Sequence, residues 1–388
     1  MLKIPQKTEY VINTLLSAGF EAYIVGGCVR DMLLGKTPND FDITTSAEPD
    51  EIIALFPKTV PTGIKHGTVT VIVDSEPIEV TTFRTEGEYT DCRRPDKVTF
   101  VKSLEEDLAR RDFTVNAMAY NKKSGLMDYF SGQKDLENKV LRAVGQAELR
   151  FQEDALRILR LFRFASVLDF NIEPNTLKAA LNKAENLKNI SVERIAVELK
   201  KAVIGKNLKQ MSPLINSGSL EFIGFKNSPD FFILQQLPLK QSLRLFAFLY
   251  FSGCDVAKTL DLLKESNENK NYCKTLTLLM QYKIPDNKTD LKQLLSFASK
   301  EMIEDWLTIK NTMGYNTAKI LNLLEEIIKN NEPYLISHLK ISGDYLKKIG
   351  ISGKEIGTVL ENLRQLVIRC PEKNNKIDLK TEINKIKP

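Results

Sequence analysis

The chain has only two histidines and five cysteines in 388 residues, and each scarcity closes off a class of function. His66 and His338 cannot build a histidine-rich metal centre, and because neither is followed by Asp the chain carries no His-Asp phosphohydrolase module. Cys28, Cys92, Cys254, Cys273 and Cys370 are odd in number, scattered and without metal-ligand spacing, so they read as reduced thiols rather than as a disulfide framework. No apolar run approaches a bilayer crossing and no charged-then-apolar leader opens the sequence, which argues against membrane insertion or secretion and makes the cytoplasm the default expectation. Internal repeats and low-complexity tracts are missing as well.

What is there is enough for two or three domains with a real core, since 43% of the residues are hydrophobic. A formal net charge of +5 is a mild basic balance, compatible with a polyanionic partner and weak evidence for one. The placement of the arginines is more telling. Arg30, Arg84, Arg93, Arg94, Arg110, Arg111, Arg142, Arg150, Arg157, Arg160, Arg163 and Arg194 all fall in the first half, whereas the second half is lysine-rich.

Along the chain, the pattern up to about residue 130 mixes short strands and helices: a helix from Gln6 to Ala18, strands near 21–25 and 41–45, and a helix near 49–56. The alternating runs at 67–73 and 77–83, separated by a short polar turn containing Pro77, predict a hairpin. Residues 84–97 are charged and poor in apolar side chains, the composition of a loop. From about 135 strand signals vanish, and apolar residues recur at three- and four-residue spacing through 148–169, 174–184, 191–204 and on to 353–369. The expected fold class is α+β, an N-terminal head of mixed sheet and helices followed by an all-α body. The expected boundaries are 1–135 for the head, 136–205 for a helical neck, 206–370 for the body and 371–388 for a lysine- and asparagine-rich tail, loosely held.

The head carries the most informative run. Gly26-Gly27 follows a short buried strand, EAYIV, and opens directly into VRDMLLG, which reads as a helix. That order leaves unpaired backbone N–H groups at a helix N-terminus, a geometry suited to phosphate. A few residues on, FDIT predicts a strand in which Asp40 and Asp42 share one face while Phe41 and Ile43 share the other. Two neighbouring carboxylates repel unless a cation lies between them, and an all-oxygen pair beside phosphates suits Mg²⁺. Arg30, one turn into the helix, offers a permanently charged fork for phosphate oxygens, although a surface salt bridge with Asp31 is the plainer account of it.

These elements resemble the class II tRNA nucleotidyltransferases and bacterial poly(A) polymerases, which share a DNA polymerase β type head. The resemblance rests on GG-x-VRD, LLG and DFDI, and is strengthened by EVTTFRTEGEY at 79–89, RRPDKVTF at 93–100, LEEDLARRDFTVNAMAY at 104–120, EDALRILRLFRFA at 153–165 and ISVERIAVEL at 190–199. It is dense over the first half and thin over the second. It implies two-metal nucleotidyl transfer, with Asp40 and Asp42 as catalytic carboxylates and metal ligands, and Glu79 on the neighbouring strand as a third carboxylate, where a solvated strand residue is the competing account. It further assigns Arg111 to the triphosphate, beside the Gly26-Gly27 cradle and Arg30, and Asp112 and Asn116 to the ribose, where a helix cap is the competing account of Asp112.

The segment Glu153 to Phe164 is nearly all apolar except at every third position. On a continuous helix Asp154, Arg157 and Arg160 would drift by about 60° per step and form a slowly winding polar stripe. Such a stripe faces a cleft or pairs internally as an ion-pair ladder. An Asp that only accepts and an Arg that only donates match the exocyclic amino group and ring acceptor of cytosine and adenine, and mismatch uracil and guanine. The resemblance implies this protein-templated choice of CTP and then ATP, with Glu153 orienting Arg157, Arg160 and Arg163 contacting the nucleotide, and Arg84 and Glu86 acting in the switch between the two substrates.

The expected activity is therefore CCA addition to the 3′ end of tRNA from CTP and ATP with Mg²⁺, the body holding the acceptor stem and TΨC arm. Poly(A) polymerase, CC-adding and A-adding products are alternatives within the resemblance. A small-molecule nucleotidyltransferase or a non-catalytic RNA-binding protein are alternatives outside it, and no oligomeric state follows from the sequence.

Overall fold

A computed structural model describes residues 2–87 and 98–386, without the side chains of Glu86 and Ile386. The chain divides into two units, the first running to Ser228 and including Leu262–Lys264, the second made of Pro229–Asp261 and Glu265 onward. The division thus falls beyond the expected neck–body boundary at 205.

The first unit begins with α1 (Gln6–Ser17), β1 (Ala22–Val25), α2 (Gly27–Leu33), β2 (Ile43–Thr45), α3 (Pro49–Leu55), β3 (Thr59–Gly63), β4 (Thr68–Val73) and β5 (Glu76–Thr82). It continues through β6 (Arg84–Glu86), β7 (Val98–Phe100), α4 (Leu104–Ala109), β8 (Ala119–Asn121), β9 (Gly125–Met127) and α5 (Gly132–Glu137). Seven strands form one mixed sheet in the order β3-β4-β5-β2-β1-β8-β9. Only β2 and β5 run parallel, with Ile43 opposite Val80 and Thr45 opposite Thr82. Every residue of β1 is buried, which explains its unbroken apolar sequence at the middle of a sheet covered on both faces.

The predicted hairpin is β4–β5, closed by Asp74 and Ser75, both at positive φ as a primed two-residue turn requires. Pro77 lies not in the turn but in β5 opposite Ile72, at a level that β2 does not reach, so its missing N–H breaks no ladder there. Residues 84–86, expected in a loop, instead pair with 98–100. Phe83 and Leu108 pack with Tyr23, Val25 and Ala119 in the core beneath the sheet.

Past the head come β10 (Val140–Leu141), α6 (Ala147–Glu153), α7 (Leu156–Leu168), β11 (Asn171–Ile172), α8 (Pro174–Lys183) and α9 (Val192–Val203). The parallel bridge between β10 and β11 departs from the all-helical expectation, and two residues per strand are too few for alternation to show. The expected continuous helix over 148–169 is broken into α6 and α7, with Asp154 extended between them at φ −135° and ψ 104°.

The second unit is helical among its described residues. Its last core packs Leu346, Val359, Leu363 and Val367 with Leu379 and Ile383. Those last two residues lie on a helix over Lys376–Ile386, so the tail expected to be loose is instead anchored by two apolar residues one turn apart, fully buried.

Candidate active site

Gly26 adopts φ 80° and ψ −129° and precedes α2, and its N–H donates to the Met118 carbonyl at 3.1 Å. A side chain there would be strained by the backbone and would approach the Arg111 guanidinium at 3.2 Å, so glycine keeps the arginine close to the turn. From this turn opens a cleft of about 480 Å³, within the range of small-molecule sites. Gly26, Gly27, Arg30, Asp42, Arg111, Asp112 and Asn116 line it from the head, and Asp154, Arg157, Arg160 and Arg163 from the segment that follows. Sequence positions more than a hundred residues apart are thereby brought to one wall.

The wall is a relay of buried ions. Arg30 donates through Nη1 to Asn116 Oδ1 at 2.6 Å and through Nε to Asp31 at 2.9 Å. Asn116 donates in turn to Asp112 Oδ1 at 3.1 Å, and Asp112 Oδ2 accepts from Arg160 Nε and Nη2 at 2.9 and 2.6 Å. Burial alone would raise the Asp112 carboxyl, but the Arg160 guanidinium and the Asn116 amide hold it down to about 2. Arg163 donates to Glu198 at 2.7 Å and stacks on the Phe164 ring at 3.4 Å.

Asp154 does not sit on the helical stripe expected of it. Its Oδ1 accepts from the Leu156 N–H at 3.0 Å and caps α7, a local bond that competes with continuing the helix, while its Oδ2 pairs with Arg194 at 2.7 Å. Arg157 donates to Glu153 at 2.7 Å, the partner expected to orient it, and to the Arg110 carbonyl at 3.0 Å. Asp154 and Arg157, the two side chains expected to read the base, are thus each held by another partner, Asp154 by Arg194 and Arg157 by Glu153, and both line the cleft.

Asp40 and Asp42 are exposed and precede β2 rather than lying within it. The protein packed around one side of Asp42 partly desolvates its carboxyl and raises it, the Arg111 guanidinium lowers it, and the Asp40 carboxylate pushes it up again, leaving it above its ordinary value although its outer side is open to solvent. Extending the parallel register one step back from Ile43 and Val80 brings Glu79 level with Asp42 on the same face. Among the described residues no three His, Cys, Asp or Glu side chains converge as ligands, so Glu79 closes no three-carboxylate nest. The donor set of Asp40 and Asp42, all oxygen and mutually repelling, nonetheless fits a hard divalent cation. Arg84 lies away from the cleft wall, bonded to the His66 carbonyl. The Glu86 side chain lies outside the described residues, as do Arg93 and Arg94.

Sequence reasoning missed Asp107, Arg194 and Glu198. Arg194 and Glu198 are one turn apart on α9, within a motif noted above but given no roles; that spacing could have flagged them. Asp107 is fully buried and bonds Arg110 and Arg111. Of the buried guanidinium nitrogens without a hydrogen-bond partner among the described residues, Arg111 Nε and Arg194 Nη1 belong to side chains that line the cleft. Such donors at a cleft are what an anionic or hydrogen-bonding ligand would satisfy.

A mixed sheet presenting paired carboxylates beside a glycine turn and an arginine-lined cleft defines a nucleotidyltransferase. The family model described as "Poly A polymerase head domain" matches residues 22–142, and that described as "Probable RNA and SrmB- binding site of polymerase A" matches residues 169–223. The chain is 41% identical to the CCA-adding enzyme of Pediococcus pentosaceus, over 99% of both chains, and 38% identical to that of Lactococcus lactis subsp. cremoris, over 99% of this chain and 98% of that one. The crystal structure of the Bacillus stearothermophilus CCA-adding enzyme in complex with CTP superposes with a TM-score of 0.83 at 30% identity, covering 98% of both. The chain belongs to the family of CCA-adding enzymes. Nucleotidyltransferases of this kind are generally metal-dependent. No helix among the described residues is long and apolar enough to cross a membrane.

Proposed function

We propose that this chain adds CCA to the 3′ end of tRNA from CTP and ATP, releasing pyrophosphate at each step. The observation that carries the reading is that Asp42 and the Gly26-Gly27 turn share one cleft with Asp154 and Arg157. Full-length similarity to CCA-adding enzymes favours this product over a poly(A) tail, for which the head alone would serve as well.

The N–H groups after Gly26 and the Arg111 guanidinium receive the triphosphate, charge-assisted bonds that also draw negative charge away from the departing pyrophosphate. Asn116, braced by Arg30, and Asp112, braced by Arg160, hold the ribose. Asp154 accepts from the exocyclic amino group of cytosine or adenine. Its capping bond and its Arg194 bond each use one lone pair, and each oxygen keeps another. Arg157, held by Glu153, donates to the adjacent ring acceptor. Uracil and guanine would set a carbonyl against the Asp154 carboxylate and a ring N–H against the Arg157 guanidinium, at about 1–3 kcal/mol for each mismatch.

Asp40 and Asp42, with Glu79 at the edge, would hold Mg²⁺, which when bound supplies charge stabilisation and activates the 3′-hydroxyl. Arg84 and Glu86 act in the passage from CTP to ATP. The helical unit receives the acceptor stem and TΨC arm through phosphate and shape contacts. We assign the protein to the cytoplasm.

Transcripts ending before CCA, after C and after CC, incubated with Mg²⁺ and each nucleotide singly or with CTP and ATP together, test the reading. Growth to CCA and a stop is expected, and a long A tail or a halt at CC would overturn it. In the same assay Asp154→Ala should narrow the preference for CTP over UTP by about tenfold or more.

A further inference from the structure

We propose that Asp107 is a positioning residue for nucleotide transfer, setting the Arg111 guanidinium against the triphosphate and bracing the strand that follows Asp42. The assignment deepens the reading of the cleft as a nucleoside triphosphate site and rests on it.

Asp107 lies on α4 with no exposed surface, and its two oxygens are divided between separate parts of the head. Oδ2 accepts from Arg111 Nη2 at 3.2 Å and from the Thr44 hydroxyl at 3.2 Å. Oδ1 accepts from Arg110 Nε and Nη2 at 3.0 and 2.7 Å, and from the Arg84 backbone N–H at 3.3 Å. Thr44 lies on β2, two residues after Asp42. One carboxylate thus joins the strand that follows Asp42, the phosphate-facing arginine and the start of the segment beyond β5.

The geometry decides which way Arg111 points. With Nη2 bound to Asp107, Nη1 is left beside the Gly26 turn, and Nε is buried without a protein partner. A guanidinium is a rigid fork, so fixing one arm aims the others. The neighbouring Arg110 is tied by the same carboxylate, and its carbonyl accepts from Arg157 Nη2 at 3.0 Å, which links the anchor to the base-reading side. Asp107 faces no cleft itself and has no route to the reacting atoms. Its role is exercised through Arg111.

Because the triphosphate is common to CTP and ATP, removing the Asp107 charge should raise KM for both alike. Asp107→Asn is expected to raise each KM by about tenfold or more, the scale of one charged hydrogen bond. A merely structural carboxylate would lower the folded fraction, and hence kcat, without moving KM. The decisive comparison is a cycle of Asp107→Asn, Arg111→Ala and the double variant, read as KM for CTP and for ATP. Asp107→Asn should add nothing once Arg111 is gone. Unchanged KM in Asp107→Asn, or effects that add fully in the double variant, would overturn the proposal while leaving the triphosphate site intact. Unchanged KM in Arg111→Ala would overturn the triphosphate reading itself, and the positioning role with it. Should Asp107→Asn fail to fold, Thr44→Val takes its place in the cycle. A smaller KM rise that disappears in the Arg111→Ala background supports the role, and its absence overturns it.

Discussion

Arg111 in the first unit and Lys292 in the second are both cations held against carboxylates in a protein interior, and they are used differently. Lys292 is almost fully buried, with Nζ 2.6 Å from Glu332, and Lys288 completes the cluster at 2.7 Å from the same carboxylate. Nearby in sequence order, Asp305 takes Lys240 and the Tyr272 hydroxyl together. In the first unit the cations are arginines, and their pairing with Asp107, Asp112, Glu153, Asp154 and Glu198 leaves Arg111 Nε and Arg194 Nη1 unsatisfied. The buried orphans of the second unit are neutral, Trp306 Nε1 and the Ser252 hydroxyl. An ammonium is a compact charge that one carboxylate cluster can satisfy, whereas a guanidinium has five donors and can be anchored and still bind. The charge of Lys292 is thus taken up by a carboxylate of its own unit, whereas the arginines of the first unit leave donors at the cleft that a ligand could satisfy.

The sharpest test of that division is Asp42→Ala. With the carboxylate at the cleft and open to solvent, incorporation of both nucleotides should fall by at least ~10³-fold, what several kcal/mol of lost charge stabilisation amounts to. The melting temperature should stay within about 2 °C of the parent. A large fall in Tm would mean that the carboxylate holds the fold together, and the contrast between units would collapse.

Lys292→Met is the converse experiment. Leaving Glu332 short of one partner in the core should lower stability by about 3 kcal/mol in urea titration. The KM for CTP, measured below the transition, should not move. A shift in KM would show that the two networks are energetically joined.

The smallest effect separates the networks by pH. Asp112 is held at about 2 against an ordinary value near 3.8, so its ionised form stabilises the folded state. That contribution, about 2 kcal/mol, is fully present above the unfolded value and is lost as pH falls from about 4 through about 2. Stability measured by denaturant between pH 6 and 2 should lose this component in Asp112→Asn. An unchanged acid limb would place the acid sensitivity elsewhere, in the carboxylates of the helical unit among others.

Much of the site was legible because its signals are local. Gly26-Gly27 before a helix, a strand beside the paired aspartates and the hairpin at 68–82 depend on neighbours in sequence, where backbone conformation and side-chain alternation leave a periodic trace. The resemblance of the ordered motifs carried the family and the α+β architecture. The helical unit's residue roles were not legible, since an amphipathic helix advertises which face is buried and not what it is buried against.

Three matters were decided only by tertiary structure. Asp154 could have continued a helix, and the choice to cap α7 and face Arg194, forty residues away, belongs to the packing of α7 against α9. Asp107 looks like any acidic residue in a helix's first turn until the fold buries it between two arginines and a threonine. Leu379 and Ile383 sit in a polar tail that composition alone would leave loose, and an apolar core made by residues earlier in the chain fixes it. The sequence by itself determined which chemistry is present, because that depends on residue types and short spacings. Which charges pair and which donors are left for a ligand depends on distances between residues far apart in the chain, and only the folded molecule sets those.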